Sequence, residues 1–358
     1  MSTATKPRVV VADDSALMRR IVSNVLVRGG IEVVGTAKDG DEALAVCERE
    51  RPDAMTLDLA MPGMGGIDVL RALRRRGADL PVVVVSAFSP AQGARAVDAL
   101  AEGAFELVPK PAGSAEVSAF EQSLLGKIQL AARVRKPGVN GTGAGLAAHR
   151  PQPTPPARVV DGSANRERSG VARALLIVTS TGGPRALASL IPALPSPLGL
   201  GTMIVQHMPA GFTASLAARL DRASRLSVRE AQGGESWDPG VALVAPGGRH
   251  LRLTGTASTT KLSDDEPLGG LRPRADLLIE DAAARFGDRL TLVVLTGMGN
   301  DGLRGAREVR RNGGRILVEA ERSCTVYGMP RSIAEAGLAN EVLGLDELPA
   351  AIAAEVGR

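Results

Sequence analysis

The chain has 358 residues, enough for two domains at roughly 150 residues each. Hydrophobic residues make up 44% and aromatics only 2%, so the cores must rest on Val, Leu, Ile and Ala, and base-stacking platforms for nucleic acid are not expected. The net charge of +4 is carried by scattered arginines, and the Arg74-Arg75-Arg76 run reads as a solvated helix face. Two cysteines, Cys47 and Cys324, form neither a disulfide framework nor a metal spacing, which suits a reducing cytoplasm. No apolar run is long enough to span a membrane and the N-terminus holds no signal core, so a cytoplasmic protein without membrane insertion is expected.

In chain order, Arg8 to Ala12 reads as a strand, Ser15 to Val27 as a helix closed by Gly29-Gly30, Ile31 to Ala37 as a strand and Gly40 to Arg51 as a helix. Ala54 to Leu57, Pro81 to Val85 and Phe105 to Val108 read as further strands, with helices over Val69 to Arg76, Pro90 to Ala101 and Ser114 to Val134. Five strands alternating with five helices predict a parallel sheet covered on both faces, over residues 1–133. From Arg135 the chain turns rich in Gly, Pro, Ser, Ala and Arg around P-Q-P-T-P-P, which predicts a linker over 134–170. Alternation resumes at Val171, so a second α/β domain is expected over 171–358, with buried strands at Ala174 to Val178, Met203 to Val205 and Leu290 to Leu295.

In the first domain Asp13 and Asp14 follow the first strand, Asp58 the third, Ser86 ends the fourth and Lys110-Pro111 follows the fifth. A parallel sheet puts all of these on one edge. Clustered carboxylates repel unless a cation neutralises them, and oxygen ligands suit Mg2+. A carboxylate beside Mg2+ and an ammonium is a good phosphoryl acceptor. Singly, Asp-Asp is usually a cap and Lys-Pro a turn; five strand ends in succession argue against coincidence.

The second domain carries T-S-T-G-G-P around Ser180, Q-H-M-P around His207 and T-G-M-G-N-D-G around Asp301, each after an apolar strand. A serine hydroxyl needs a base within reach, and the base needs a partner that fixes its tautomer. Of three histidines, His149 lies in the linker and His250 reads as a surface or turn residue, which leaves His207 as the base and Asp301 as its partner. Gly-rich backbone at Gly182-Gly183 and Gly297-Met298-Gly299 offers N–H groups to an oxyanion. Each segment alone reads more readily as a helix cap or a tight turn. The order Ser, His, Asp, and Val178 in place of the first Gly of G-x-S-x-G, disfavour an ordinary lipase or esterase. A DNA-binding output domain and a catalytically silent docking module are the rival readings.

The first half closely resembles a response-regulator receiver domain through V-V-V-A-D-D-S, L-D-L-A-M-P-G-M-G-G, V-V-S-A and V-P-K-P. The second resembles the chemotaxis protein-glutamate methylesterase family, CheB, through S-T-G-G-P, V-Q-H-M-P-A-G-F-T, V-A-P-G-G-R-H, L-T-G-M-G-N-D-G and S-C-T-V-Y-G-M-P. The resemblance implies a flavodoxin-like (βα)5 receiver joined to a doubly wound, mostly parallel α/β catalytic domain. It implies Asp58 as the phosphorylated residue, Asp13 and Asp14 with Asp58 as the Mg2+ ligands, Ser86 as the switch hydroxyl and Lys110 as the phosphate contact. It also implies Ser180 as nucleophile, His207 as base, Asp301 as acid, Thr181 and Met298 beside the nucleophile, and no cofactor for ester hydrolysis. Expected partners are a histidine kinase as phosphodonor and methyl-accepting chemoreceptors as substrate, with glutamine deamidation as a further activity and a monomeric state. The chain departs from the family pattern at Ala60, at Leu107, at Val178, and at Leu271-Arg272-Pro273-Arg274-Ala275-Asp276, where His-x-Pro-Ser-Val-Asp is common.

Overall fold

A computed structural model describes residues 6–87, 90–135, 172–255 and 259–357. The expected linker, with His149, lies outside the described residues. The first domain runs β1 (Arg8–Ala12), α1 (Ala16–Arg28), β2 (Glu32–Ala37), α2 (Gly40–Glu50), β3 (Ala54–Leu57), α3 (Gly66–Arg75), β4 (Val82–Ser86), α4 (Pro90–Ala101), β5 (Glu106–Pro109) and α5 (Val117–Arg135). Its five strands lie in the order β2-β1-β3-β4-β5, parallel throughout. Helices on both faces bury Val82 to Val85 completely, which is why β4 reads as an unbroken apolar run.

Local chemistry sets the helix starts. Ser15 caps α1 by accepting the Met18 N–H, and Asp39 caps α2 by accepting the Glu42 N–H at 2.9 Å. Helix α3 begins at Gly66, three residues before the expected Val69, because the glycine lets the chain fold tightly against the end of β3. A Cβ at Gly66 would stand 2.4 Å from the Asp58 carbonyl oxygen. A 3-10 turn over Ser114–Glu116 precedes α5.

The second domain runs β6 (Ala174–Thr179), α6 (Gly183–Ala193), β7 (Gly201–Gln206), α7 (Phe212–Ala223), β8 (Ser227–Glu230), β9 (Val241–Val244), β10 (His250–Thr254), β11 (Thr259–Ser263), α8 (Ala275–Phe286), β12 (Leu290–Val294), α9 (Leu303–Arg311), β13 (Arg315–Glu319), α10 (Met329–Glu335), β14 (Glu341–Leu343) and α11 (Leu348–Val356). Seven parallel strands lie in the order β14-β13-β12-β6-β7-β9-β8, and β10 with β11 forms a separate antiparallel hairpin. The chain leaves β6 toward β7 and later adds β12 on the other side of β6. Open α/β sheets place their sites at such a reversal, at the carboxyl ends of the strands.

The two domains touch. Helix α4 packs on α6 and α7, and one apolar cluster takes in Val97 and Leu100, Leu187 and Leu190, Phe212 and Leu216. Asp98 of α4 forms an ion pair with Arg219 of α7. Val326 of the second domain packs on the first domain's other apolar cluster, which includes Val108 and Ile128. Between the domains lies a cleft of about 940 Å3 whose lining includes Arg74, Glu102, Gly182, Arg185, Thr296 and Thr325.

Candidate active site and acidic pocket

The carboxyl edge of the first sheet brings Asp13, Asp14 and Asp58 together, each offering an oxygen within 4.8 Å of the others. Asp13 and Asp58 are buried, whereas Asp14 is exposed. Lys110 Nζ lies 2.8 Å from Asp13 Oδ2 and 3.0 Å from Asp58 Oδ2. Burial pushes the Asp13 carboxyl above its usual range, and the Lys110 ammonium offsets only part of that. Burial acts against the Lys110 charge too, but its contacts with Asp13 and Asp58 outweigh it and raise the lysine's pKa. One ammonium between two buried carboxylates, with the exposed Asp14 close by, leaves excess negative charge in the pocket. That donor set, hard oxygens with a surplus of charge, fits a divalent cation such as Mg2+. Ser86 stands beside this pocket at the end of β4, in register with Pro109, and its hydroxyl makes a long 3.5 Å contact to the Ala87 carbonyl. Leu107 is buried in the core and Ala60 is exposed.

In the second domain Ser180 follows β6 and His207 follows β7. The parallel register pairs Thr179 with Gln206, and the His207 N–H donates to the Thr179 carbonyl at 3.1 Å. Serine and histidine therefore stand on adjoining strand ends, one strand spacing of about 4.8 Å apart. Asp301 enters from the loop after β12. Its Oδ2 meets His207 Nε2 at 2.7 Å. No hydrogen bond joins the Ser180 hydroxyl to His207 among the described residues, and Nδ1 is the ring nitrogen left for it. Such bonds are often long before substrate binds.

Asp301 sits at the N-terminus of α8, where it accepts the N–H groups of Ala275 at 2.7 Å and Asp276 at 3.0 Å. Burial opposes its ionisation most strongly. The His207 contact and these two N–H groups together overcome burial and lower its pKa to about 2. Arg274 also reaches it, Nε to Oδ1 at 2.9 Å, while pairing with buried Asp276 at 2.8 Å. His250 is fully buried, not on the surface as expected. Its Nδ1 accepts the Arg274 N–H at 3.1 Å, which ties the β10 strand to the start of α8.

The turn that follows Ser180 is built from glycines. Gly182, at φ 81°, turns the chain into α6, and a Cβ there would meet Thr325 Oγ1 at 2.4 Å. The Gln206 amide donates to the Ser180 and His207 carbonyls, both at 3.0 Å, and so joins the two loops. Thr181 is buried. Met298 is 57% exposed, and its N–H has no acceptor among the described residues. Sequence reading passed over Gln206, Arg274, Thr296 and Glu319. Only the departure at Leu271 to Asp276 pointed toward one of them.

The site thus joins an acidic phosphoacceptor-like pocket on one domain to a strand-end serine, histidine and aspartate on another, the layout of a response regulator with a hydrolase output. Residues 9–120 match the family model of the response regulator receiver domain, and residues 175–352 that of CheB methylesterase. The protein-glutamate methylesterase/protein-glutamine glutaminase of Symbiobacterium thermophilum is 40% identical over 98% of this chain and 97% of its own length. Protein-glutamate methylesterase/protein-glutamine glutaminase 5 of Myxococcus xanthus is 41% identical over 97% of each. Among solved structures, the Thermotoga maritima CheB methylesterase catalytic domain is 40% identical, covers 51% of this chain and 97% of that one, and has a TM-score of 0.49. The chain belongs to the CheB methylesterase family and carries a response regulator receiver domain at its N-terminal end. No described helix is long and apolar enough to cross a membrane.

Proposed function

We propose that this chain hydrolyses γ-glutamyl methyl esters on chemoreceptors, and deamidates receptor glutamines, under control of phosphorylation at Asp58. The domains on this reading are the receiver at 1–133, the linker at 134–170 and the catalytic domain at 171–358. The observation that carries it is the 2.7 Å contact of His207 Nε2 with Asp301 Oδ2, on a ring whose other nitrogen is left for Ser180 on the adjoining strand end. The relatives from Symbiobacterium thermophilum and Myxococcus xanthus, both named protein-glutamate methylesterase/protein-glutamine glutaminase, point the same way.

Ser180 Oγ attacks the ester carbonyl carbon while His207 Nδ1 takes its proton. The tetrahedral oxyanion is met by the Met298 and Thr181 N–H groups at the positive end of α6. The bond to the methoxy oxygen breaks, and methanol leaves with the proton from the imidazolium. A water, deprotonated by His207, then attacks the acyl carbon and Ser180 leaves with the proton. Asp301 holds the ring and balances the imidazolium charge. With glutamine the first leaving group is ammonia, and the acyl-enzyme is the same. The hydrolysis uses no cofactor.

In the receiver, Asp58 accepts the phosphoryl group from a histidine kinase. Asp13, Asp14 and Asp58 would hold Mg2+, which would supply positive charge against the transferring phosphoryl group. Lys110 neutralises one phosphoryl oxygen, and the Ser86 hydroxyl donates to another. Helix α4 packs on α6 and α7 in the unphosphorylated chain, and the segment after it, Glu102 to Phe105, lines the cleft that reaches Gly182, so phosphorylation opens the site by weakening that docking. The protein works as a cytoplasmic monomer that binds no nucleic acid. The test is methanol release from membranes bearing methylated receptors, with and without a small phosphodonor. Release that is equal without the enzyme, or unaffected by the donor, contradicts the respective half of the proposal.

A further inference from the structure

Behind Ser180 lies a buried polar group that the hydrolytic steps leave unused. Glu319 ends β13 and is completely buried. Its Oε2 accepts the Thr296 N–H at 2.8 Å. Burial pushes its carboxyl above the usual range, and the Thr296 N–H offsets only part of that, while the other oxygen, Oε1, has no hydrogen-bond partner among the described residues. Thr296 turns this anchor toward the nucleophile. Its carbonyl accepts the Ser180 N–H at 3.0 Å and the Thr179 hydroxyl at 2.9 Å. Its own hydroxyl donates to the Thr181 carbonyl at 2.9 Å and accepts the Val326 N–H at 2.9 Å. The residues just before and just after the nucleophile, and the nucleophile itself, are thus all tied to one threonine, and that threonine is tied to one carboxyl.

The S-C-T-V-Y-G-M-P segment closes the arrangement from the other side. The Gly297 N–H donates to the Val326 carbonyl at 3.0 Å, and the Gly328 and Met329 N–H groups donate to the Gly297 carbonyl at 3.1 and 2.8 Å. A Cβ at Gly297 would lie 2.8 Å from Ser180 Cβ, so this loop and the nucleophile touch directly.

We infer that Glu319 is a positioning residue: through Thr296 it sets the place of the Ser180 backbone and of the Gly297-Met298 loop that faces the oxyanion. A neutral carboxyl suits this task better than a carboxylate, because an uncompensated buried charge would cost far more than the one N–H bond returns. The inference rests on Ser180 as nucleophile. Displacing a nucleophile by a fraction of an ångström slows the chemical step without weakening substrate binding.

The experiment uses the full chain, phosphodonor-activated, with methanol release and fluorophosphonate labelling as paired readouts. Wild type, Ser180→Ala, Thr296→Val, Glu319→Leu and Glu319→Gln are compared. Thr296→Val keeps the shape and the N–H but removes the hydroxyl. Thr296→Val and Glu319→Leu are expected to lower kcat and the labelling rate about 10- to 100-fold with KM within about twofold. Glu319→Gln, which keeps an acceptor for the Thr296 N–H, is expected to recover most of the kcat lost in Glu319→Leu. Wild-type kcat in Thr296→Val overturns the inference, whether or not Glu319→Leu folds. A folded Glu319→Gln no better than Glu319→Leu overturns it as well. Full methanol release by Ser180→Ala instead removes the nucleophile assignment beneath it.

Discussion

His207 meets Asp301 through Nε2, at 2.7 Å, and the carboxylate that receives it is fixed by the first turn of α8. A carboxylate only accepts, so the ring carries its proton on Nε2, and on the proposed mechanism Nδ1 is the nitrogen that serves Ser180. Nitrogen NMR of the free enzyme is expected to show the Nε2–H tautomer for His207. Asp301→Asn is expected to keep the fold and to lower kcat by about 10^3 to 10^4.

Asp301 also makes a prediction about acid stability. Its folded-state pKa is lowered to about 2 from the ordinary carboxyl value of 3.8, so it favours the native state above the higher value. That contribution disappears as pH falls through the lower one. The melting temperature of the wild type is expected to fall more steeply than that of Asp301→Asn between about pH 4 and pH 2. Parallel curves would mean that the carboxylate gains nothing from its surroundings.

The acidic pocket predicts a metal requirement confined to the switch. Chelation with EDTA is expected to abolish phosphorylation of Asp58 by acetyl phosphate, detected as a mass shift, while leaving unstimulated esterase activity unchanged. Asp13→Ala, which leaves Lys110 facing one fewer buried carboxylate, is expected to reduce phosphorylation about tenfold or more at limiting Mg2+.

The domain contact predicts release by mutation. Asp98 and Arg219 form a partly exposed ion pair, and such pairs are worth about 1 kcal/mol or less, so Asp98→Arg is expected to raise unstimulated activity only a few-fold. Reversing both charges restores the wild-type level. Gly93 packs more closely: a Cβ there would stand 3.2 Å from Ser215 Oγ. Gly93→Leu is therefore expected to bring unstimulated activity near the phosphorylated level. Esterase assays without donor separate the two cases.

Much of the fold was legible because parallel strands announce themselves as apolar runs. The expected limits of β1, β3 and α4 coincide with the observed ones, and those of β2, α1 and α2 differ by a single residue at each end or less. The start of α3 was hidden by glycines that read as loop but serve close packing on Asp58. His250 was misplaced on the surface because Gly-Gly-Arg-His resembles a turn, whereas its ring fills a buried gap between β10 and α8. Ser180, His207, Asp301 and the acidic cluster stood out as candidates because each follows a strand. Thr296 and Glu319 escaped because their partners, Thr181 and Thr296, lie 115 and 23 positions away, and one threonine after a strand looks like any other. Arg274 drew notice only as a departure from a family pattern, and its pairing with Asp301 needed the fold.

The most direct test is the rate of methanol release from methylated receptor membranes by the wild type and by Ser180→Ala, each with and without a phosphodonor. The account predicts donor-stimulated release by the wild type and none by the variant, although Asp58 in the variant still takes up phosphate. Comparable release by both proteins would contradict it.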